Sequence, residues 1–415
     1  MRLSQRTIFW TVALVCAVSG FASRARTLWD WDEVLFCVGM RSYDVTLHHP
    51  HPPGFPAYIA LGRIVRLFVG DDFRSLQTIN LAAGMLLFPA VYFLARAIGV
   101  RFDIAVIAGA LCAFFPNVWF YGGTAFRDVP SITLVVFAAG LLWSAGNLPA
   151  GPPAASRRFL TGVFLLAIAI AIRPQNALVG LFPLLFAMRR QSWRNIVFGA
   201  VIGIIVVGTA FGGAAAATGS LDAYRSAVRA HSHYISEIDS FRSPLRPPLW
   251  RLIALFFAKQ YSSPALSIIV TIFVVISIVC AIRRRDRSML YNALTFAPVA
   301  IAAWLFLDRY SVSRFSIGYI PMFAIFAADG ISCVTKAAAS RRTPCSDMRP
   351  RGVAIVSPGW IAVSNSAVGC RRLRRITSLP RRSSSRFAVT LVRFVVSASR
   401  SRSAAETSRA RGSRR

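Results

Sequence analysis

Charged residues are scarce in this chain of 415 residues, at 15% of the total, whereas apolar residues make up 55%. Soluble domains contain roughly 25% charged residues, so the composition excludes an ordinary soluble protein. Apolar runs recur from end to end, and many approach the roughly 20 residues that a helix needs to cross the hydrocarbon core of a bilayer. The sequence therefore predicts an all-α polytopic membrane protein.

Paired cysteines are also missing. The seven cysteines are scattered singly and form no C-x-x-C motif, which indicates neither a zinc site nor a disulfide framework. A small-residue cleavage site that leads into a soluble chain is missing after the first apolar run, TIFWTVALVCAVSGFA. We therefore interpret this run as a retained first helix and not as a signal peptide.

Acidic residues are few, with 16 against 48 basic ones, and the net charge is +32. Half of this excess lies after residue 340, where 18 basic residues accompany only Asp347 and Glu406. The other basic residues lie in short loops between apolar runs, where the positive-inside rule accounts for them. The charge therefore does not indicate a nucleic-acid partner.

Ten apolar runs are candidate membrane spans, and the arginine-rich loops between them predict an orientation with both termini in the cytoplasm. Most acids outside the tail then fall on the outer side. The predicted spans are residues 7–23, 76–95, 104–121, 130–146, 159–172, 175–188, 195–212, 264–282, 289–307 and 315–335.

This threading requires that residues 54–69, GFPAYIALGRIVRLFV, do not cross the membrane. This segment is short for a membrane span and contains Arg63 and Arg66. Its apolar residues recur with a helical period, which is typical of an amphipathic helix in the interface. A short second span is the alternative. It would move the Arg-rich loops to the outer side.

The spans 159–172 and 175–188 are short and are joined by RPQN. A helix of 14 residues is only about 21 Å long, so Arg173 is expected below the outer surface, inside the bundle. An arginine at that depth is a candidate functional residue. The alternative is a snorkelling side chain at a helix end.

Three sets of polar residues fall on the predicted outer face. The stretch WDWDEVLFCVGMRSYDVTLHHPHPPG follows the first helix, FRD precedes Pro130, and Arg309, Tyr310 and Arg314 precede the last span. Carboxylates can accept a proton, and arginines can hold the developing charge on a phosphate. Together these groups suit group transfer from a phosphorylated donor.

The order of motifs resembles the C-type membrane glycosyltransferases, which include the protein O-mannosyltransferases and aminoarabinose transferases. W-D-E after the first helix is followed by H-P-P-G and an amphipathic helix; FRDVPSITLVVFAAGLLW and SRFSIGYIPMFAIFAADGI are similar to later parts of the family pattern. The resemblance covers residues 7–335. It implies a helical bundle of about ten spans with a juxtamembrane helix on the outer face.

The resemblance implies transfer of a sugar, with inversion, from a polyprenyl-phosphate donor to an unknown acceptor at the outer face of the cell membrane. Asp32 or Glu33 would accept the proton of the acceptor, and Arg173 and Arg314 would hold the donor phosphate. An Arg-Pro stands where many relatives have a lysine, which puts the role of Arg173 in doubt.

Three further residues are expected to position the acceptor, namely His51, Arg127 and Asp128. The sequence supports no cofactor. Metal binding is the alternative use of His48, His49 and His51, but the adjacent prolines favour a rigid turn. In HSHYISEIDS, residues 231–240, His233 and Glu237 would share a helix face. A loop that covers the acceptor entrance is the preferred interpretation there.

The chain divides into a transmembrane part, residues 1–340, and an Arg/Ser-rich tail, residues 341–415. The tail is expected to be disordered near the anionic inner leaflet, or to be the product of a frameshift. A transporter or lipid flippase is the alternative function for the bundle. Transporters usually contain internal repeats, and the sequence has no such symmetry.

Overall fold

The computed structural model describes residues 4–149, 151–238, 240, 242–244, 246–258, 260–306 and 313–342. The predicted tail falls outside these residues apart from its first two, and so do Arg309 and Tyr310. The described helices are α1 Gln5–Ala22, α2 Trp31–Arg41, α3 Pro56–Val69, α4 Asp72–Ala97, α5 Phe102–Phe114, α6 Pro116–Tyr121, α7 Asp128–Asn147, α8 Pro153–Ile172, α9 Asn176–Met188, α10 Trp193–Ala217, α11 Leu221–Ile238, α12 Leu249–Ala258, α13 Pro264–Arg284, α14 Arg287–Phe306 and α15 Ile320–Arg342, with a 3₁₀ helix at Ser313–Gly318.

Each of the ten predicted spans coincides with a helix or a helix pair, which confirms the all-α polytopic class. Among the described residues, seven helices are long and apolar enough to cross a membrane: α1, α4, α7, α8, α10, α13 and α15. Of the other three predicted spans, α5 and α9 have 13 residues each and α14 has 20. Residues Met1–Val334 form one compact unit, and the predicted domain boundary near residue 340 stays a prediction.

Helix α7 lies at the centre of the bundle, where it packs against α4, α8 and α9. Its residues are buried along almost its whole length. Trp143 stacks on Tyr291 of α14 at 4.5 Å between ring centroids, and its Nε1 donates a hydrogen bond to Oγ1 of Thr295 at 2.8 Å. A buried indole N–H is thereby satisfied inside the apolar core.

The predicted single span 104–121 is broken in the structure. Helix α5 ends at Phe114, and Phe115 has an extended backbone before Pro116 opens α6. Proline disfavours the helical conformation in the residue before it and lacks the N–H that would continue the helix. The break leaves residues 122–127 as a loop directly before α7.

Helix α3 has the amphipathic character expected of residues 54–69. Pro56 occupies its first turn, and Gly70 ends it in the left-handed conformation at φ +78°. Tyr58 and Ile59 are buried, whereas Leu67 and Phe68 are 82% and 84% exposed. Such a helix, with one apolar face free and basic residues beside it, suits a membrane interface.

The long segment between the predicted spans 195–212 and 264–282 was assigned no helix from the sequence, and the structure contains there the end of α10 and the helices α11 and α12. Helix α11 has no buried residue, and α12 exposes Leu249 and Trp250. Their apolar residues recur with a helical period that an assignment based on span length overlooks.

Candidate active site

The site begins at the first turn of α2, which is fixed by a capping box. Asp30 Oδ1 accepts a hydrogen bond from the Asp32 N–H at 3.0 Å, and Glu33 Oε2 accepts from the backbone N–H groups of Asp30 and Trp29. Each carboxylate satisfies donors that a helix start leaves open. The motif D-x-x-E before an apolar run is a sequence signal for such a box, although the box was not predicted.

Glu33 has a second partner far away in the chain. Its Oε1 accepts a hydrogen bond from the Ala125 N–H at 2.6 Å, and the side chain is fully buried. Burial raises the pKa of Glu33, although the three backbone N–H groups act in the opposite direction. Oε1 therefore binds the loop before α7 while Oε2 binds the backbone at the start of α2, and the carboxylate joins the two segments.

Asp32, the neighbouring acid, remains accessible at 22% of its side chain. Its Oδ2 lies 2.8 Å from Nη2 of Arg314, and its Oδ1 lies 3.7 Å from Nδ1 of His51. Burial would lower the pKa of Arg314, but Asp128 and Asp32 outweigh it and raise this pKa. Three distant segments thus meet at one carboxylate that a substrate can reach.

A tight turn presents His51 to this carboxylate. Asp44 and His49 exchange two backbone hydrogen bonds of 2.8 Å, and Gly54 has φ +91° with the Tyr43 hydroxyl against its Cα. Only glycine fits there, because a Cβ would meet that hydroxyl. Burial, and then Arg127, lowers the pKa of His51 to about 3, so the imidazole is neutral.

Arg127, Asp128 and Arg173 form a buried group beside it, with 7%, 1% and 7% exposure. Nη1 of Arg173 lies 2.6 Å from Oδ1 of Asp128. The Arg127 guanidinium lies 3.7 Å from the centroid of the Phe55 ring and 5.1 Å from that of Phe36. Burial lowers the pKa of Arg127 to about 10, so the group stays charged at neutral pH.

Several polar atoms of this group are buried without a hydrogen-bond partner. They are Nε and Nη1 of Arg127, Nε of Arg173, Nε of Arg314 and Oδ2 of Asp128. An unsatisfied buried donor costs about 1–3 kcal/mol or more when it is charged, so four such nitrogens call for an acceptor. A group with several anionic oxygens, such as a phosphate, matches these donors.

One cavity adjoins these residues, and a separate groove lies between helices of the bundle. A cavity of about 160 Å³ is lined by Ser131, Arg173, Asn176, Phe315 and Gly318. A groove of about 540 Å³ runs between α3, α8 and α10, and is mostly apolar. The first offers polar groups next to the Arg173–Asp128 pair, and the second offers an apolar surface between helices.

Helix α11 contacts the turn that carries His51. The Tyr224 hydroxyl donates to the Pro53 carbonyl at 2.9 Å, and the His231 ring lies 5.7 Å from that of His51. His233 and Glu237 form the expected i,i+4 pair at 3.1 Å, exposed on this helix. The residues that the structure describes contain no group of three metal-binding side chains.

Six of the seven predicted site residues thus lie in one cluster: Asp32, His51, Arg127, Asp128, Arg173 and Arg314. Glu33 adjoins the cluster but points its oxygens at backbone N–H groups. The aromatic partners Phe36, Phe55 and Phe126 were not anticipated. Arg314 lies over Phe126 at 4.6 Å, and no sequence signal pairs an arginine with a ring so distant in the chain.

No protein-family model matches the chain, and no curated protein matches it in sequence. Solved structures do share its fold. ArnT from Cupriavidus metallidurans matches in the apo state with a TM-score of 0.56, 14% identity, and coverage of 80% of this chain and 61% of that one. The same protein bound to undecaprenyl phosphate matches with a TM-score of 0.54 and 15% identity, at the same coverage.

The oligosaccharyltransferase AglB from Archaeoglobus fulgidus, in complex with an inhibitory peptide and a dolichol-phosphate, matches with a TM-score of 0.52 and 14% identity. The alignment covers 80% of this chain and 51% of AglB, so the chain spans about half to three fifths of the length of these proteins. The resemblance predicted from the motifs is confirmed for the fold: this chain has the helical architecture of the C-type membrane glycosyltransferases.

Proposed function

We propose that this multi-pass membrane protein is a glycosyltransferase that moves a sugar from a polyprenyl-phosphate donor to an acceptor at the outer face of the membrane. The observation that carries the proposal is the juxtaposition of one accessible carboxylate, Asp32, with three arginines that retain unbonded buried donors. Both termini are proposed to be cytoplasmic, as the arginine-rich loops indicate. A hexose or a pentose would suit this chemistry.

In the proposed reaction an acceptor oxygen attacks the anomeric carbon from the side opposite the phosphate. The bond between that carbon and the phosphate oxygen breaks, and its electron pair stays on the phosphate. The acceptor proton passes to Asp32 as the new bond forms, because a carboxylate is too weak a base to deprotonate a free hydroxyl and accepts its proton only late in the reaction. Inversion at the anomeric carbon follows from this single displacement.

Asp32 suits the role of base better than Glu33. Asp32 is partly accessible and is fixed by one side chain, Arg314, whereas Glu33 is fully buried and accepts three backbone hydrogen bonds. A base must reach the proton that it abstracts. We therefore assign proton acceptance to Asp32 and the positioning of the loop before α7 to Glu33.

The leaving phosphate would bind to Arg127, Arg173 and Arg314. Arg173 and Arg314 each use one nitrogen on a carboxylate and retain an unbonded Nε, and Arg127 has two unbonded nitrogens. Guanidinium groups stay charged when buried and match phosphate oxygens. The apolar groove between α3, α8 and α10 has a surface suited to the polyprenyl chain.

The first experiment measures sugar transfer by the purified protein in detergent, with polyprenyl-phosphate sugars as donors. Asp32→Asn keeps the shape of the side chain but removes the proton acceptor, so turnover should fall roughly 100-fold or more. Asp44→Asn is the matched control in the same loop, since Asp44 is bonded locally to Thr46, and it should be nearly silent. Parental turnover of Asp32→Asn would contradict the assignment, and transport that requires sealed vesicles would favour a transporter.

The second experiment measures donor-lipid binding. Among the described residues no carboxylate lies within salt-bridge distance of Arg127, so Arg127→Gln leaves the Asp128–Arg173 pair in place. We expect affinity to fall by roughly 10-fold to 100-fold, as for a lost hydrogen bond to a charged group. Arg189→Gln on the turn after α9 is the control. Equal donor binding by Arg127→Gln and the parent would place the phosphate elsewhere.

A further inference from the structure

A third cavity, of about 600 Å³, lies apart from the proposed reaction site, where α1 ends and α4 begins. Three arginines line it, Arg24, Arg26 and Arg74, together with Phe21 and Leu81. Neither the donor phosphate nor the acceptor proton of the proposed reaction requires these arginines. The cavity therefore needs an explanation of its own.

The charges in this cavity are not neutralised by the chain. Within the described residues, none of the three arginines forms an ion pair with an acid. Asp72, the buried acid in the first turn of α4, is already held by Arg41 and Arg66. Three guanidinium groups that share one cavity repel each other, so an anion that enters it would be stabilised.

Two of the three arginine side chains are also held in place. Arg74 donates to Gln77 Oε1 at 2.8 Å and to the Arg26 carbonyl at 3.3 Å. The Arg24 guanidinium lies 4.3 Å from the Phe21 ring centroid. Partly ordered guanidinium groups lose less entropy on binding an anion than free surface arginines do.

The cavity also spans a change of polarity. Phe21 belongs to the span α1 and is 49% exposed, and Leu81 belongs to the span α4, whereas the arginines lie on the loop side of both. A ligand that fills it must therefore have an anionic head and an apolar body. We propose that the cavity binds the phosphate headgroup of an anionic membrane lipid, separate from the donor.

The position of the cavity links this lipid to the start of α2. Gln77 Nε2 donates to the carbonyls of Ala25 and Gly123 at 2.7 and 2.8 Å, and the Ala25 N–H donates to the Gly123 carbonyl at 2.9 Å. The segment that forms the cavity wall is thus bonded to the loop before α7. A bound headgroup would order the segment that leads to Asp30, the cap of α2.

The test uses native mass spectrometry of the purified full chain with phosphatidylglycerol or phosphatidylcholine of identical acyl chains. Each basic side chain near an anionic lipid contributes roughly a fivefold preference, so R24Q/R26Q should reduce the preference for phosphatidylglycerol by about 30-fold. The control R225Q/R229Q removes two exposed arginines from α11 and should keep the preference. R26Q alone, a milder change, should reduce it by about fivefold.

Two outcomes of the lipid comparison would overturn the proposal, and so would a third outcome in a competition with phosphate. One is equal retention of the two lipids by the parent, and the other is an equal loss of preference in the control, which would indicate a general charge effect. Displacement of the lipid by an excess of inorganic phosphate would assign the cavity to a free anion instead. None of these readouts depends on sugar transfer, so they remain valid if the proposed function fails.

Discussion

At the scale of single residues, two adjacent acids occupy opposite environments. Asp32 and Glu33 are neighbours in the first turn of α2, but their side chains point about 100° apart around the helix. Glu33 therefore meets Ala125 in the interior, and Asp32 meets Arg314 in the accessible space. Glu33→Gln would place an amide donor against backbone N–H groups, so its main effect should be on folding.

His51 provides a pH-dependent prediction. Its pKa is about 3 in the folded protein and 6.5 unfolded, so the unfolded chain binds more protons as the pH falls below 6.5. This contribution to stability is complete above pH 6.5 and declines by about 2 kcal/mol by about pH 5. The charged and titratable groups that face His51 are Asp32, Arg127, His231 and Arg314.

The unfolding temperature in detergent should decrease between about pH 7.5 and about pH 5. We expect this decrease to be smaller in His51→Gln than in the parent. His233→Gln, on the exposed face of α11, is the control and should retain the parental pH dependence. An unchanged slope in His51→Gln would show that another group dominates the acid sensitivity.

The types of the site residues were predictable, because acids, histidines and arginines stand out in an apolar chain. The interaction partners of these residues were less predictable. The capping box of Asp30 and Glu33 could have been read from D-x-x-E, since it is local. The pairs Asp32–Arg314 and Asp128–Arg173 join residues far apart in the chain, and only the packing of the helices decides them.

At the scale of elements, helix length was the strongest signal in the sequence. Helix α9 is short, as its apolar run predicted, but α8 begins at Pro153 and has 20 residues, so the predicted span 159–172 was too short. The two helices hold Arg173 at 7% exposure inside the bundle. The break between α5 and α6 escaped prediction because Pro116 lies inside one continuous apolar run. The helices α11 and α12 were not predicted, because a search for long apolar runs does not detect amphipathic helices.

Gly330 supports a prediction about helix packing. It lies in α15, where an added Cβ would overlap the Phe273 carbonyl of α13. Beside it, Asp329 accepts hydrogen bonds from Ser277 and Arg284 of the same neighbouring helix. Gly330→Ala should therefore separate the two helices and lower the free energy of unfolding by about 1–3 kcal/mol, as overpacking does.

Gly203→Ala is the matched control, because no atom lies within 4 Å of a Cβ at this position of α10. Alanine favours a helix over glycine, so this variant should be neutral or slightly stabilising. The measurement is thermal unfolding of the detergent-solubilised protein. Equal stability of the two variants would mean that α13 and α15 can move apart without loss.

At the scale of the whole molecule, the described residues up to Val334 form a compact unit with α7 at its centre. All ten predicted spans end before Lys336. A chain that stops after Arg342, the end of α15, should therefore insert into the membrane and remain monodisperse in detergent. Size-exclusion chromatography against the full chain tests this, and aggregation of the shortened protein would show that the tail contributes to folding.

The overall architecture followed from the sequence because each span carries its own signal of length and apolarity. The sequence did not predict which spans are neighbours in the bundle. The central place of α7 depends on small residues such as Gly140 and Gly146, which let Phe93 and Phe186 approach its backbone. Close packing of this kind is set by side-chain shapes across helices and leaves no periodic trace in one sequence.

The burial of Arg127 and Arg173 determines how ionic strength affects the binding of an anion to them. Both side chains are shielded from the counterions of the solvent, whereas Arg24, Arg26 and Arg74 are exposed to them. The screening length shrinks from about 8 Å at 0.15 M salt to about 3 Å at 1 M, and screening acts mainly on exposed charges. Concentrated salt should therefore release an anionic lipid from the peripheral cavity while the buried arginines keep their hold on a phosphate.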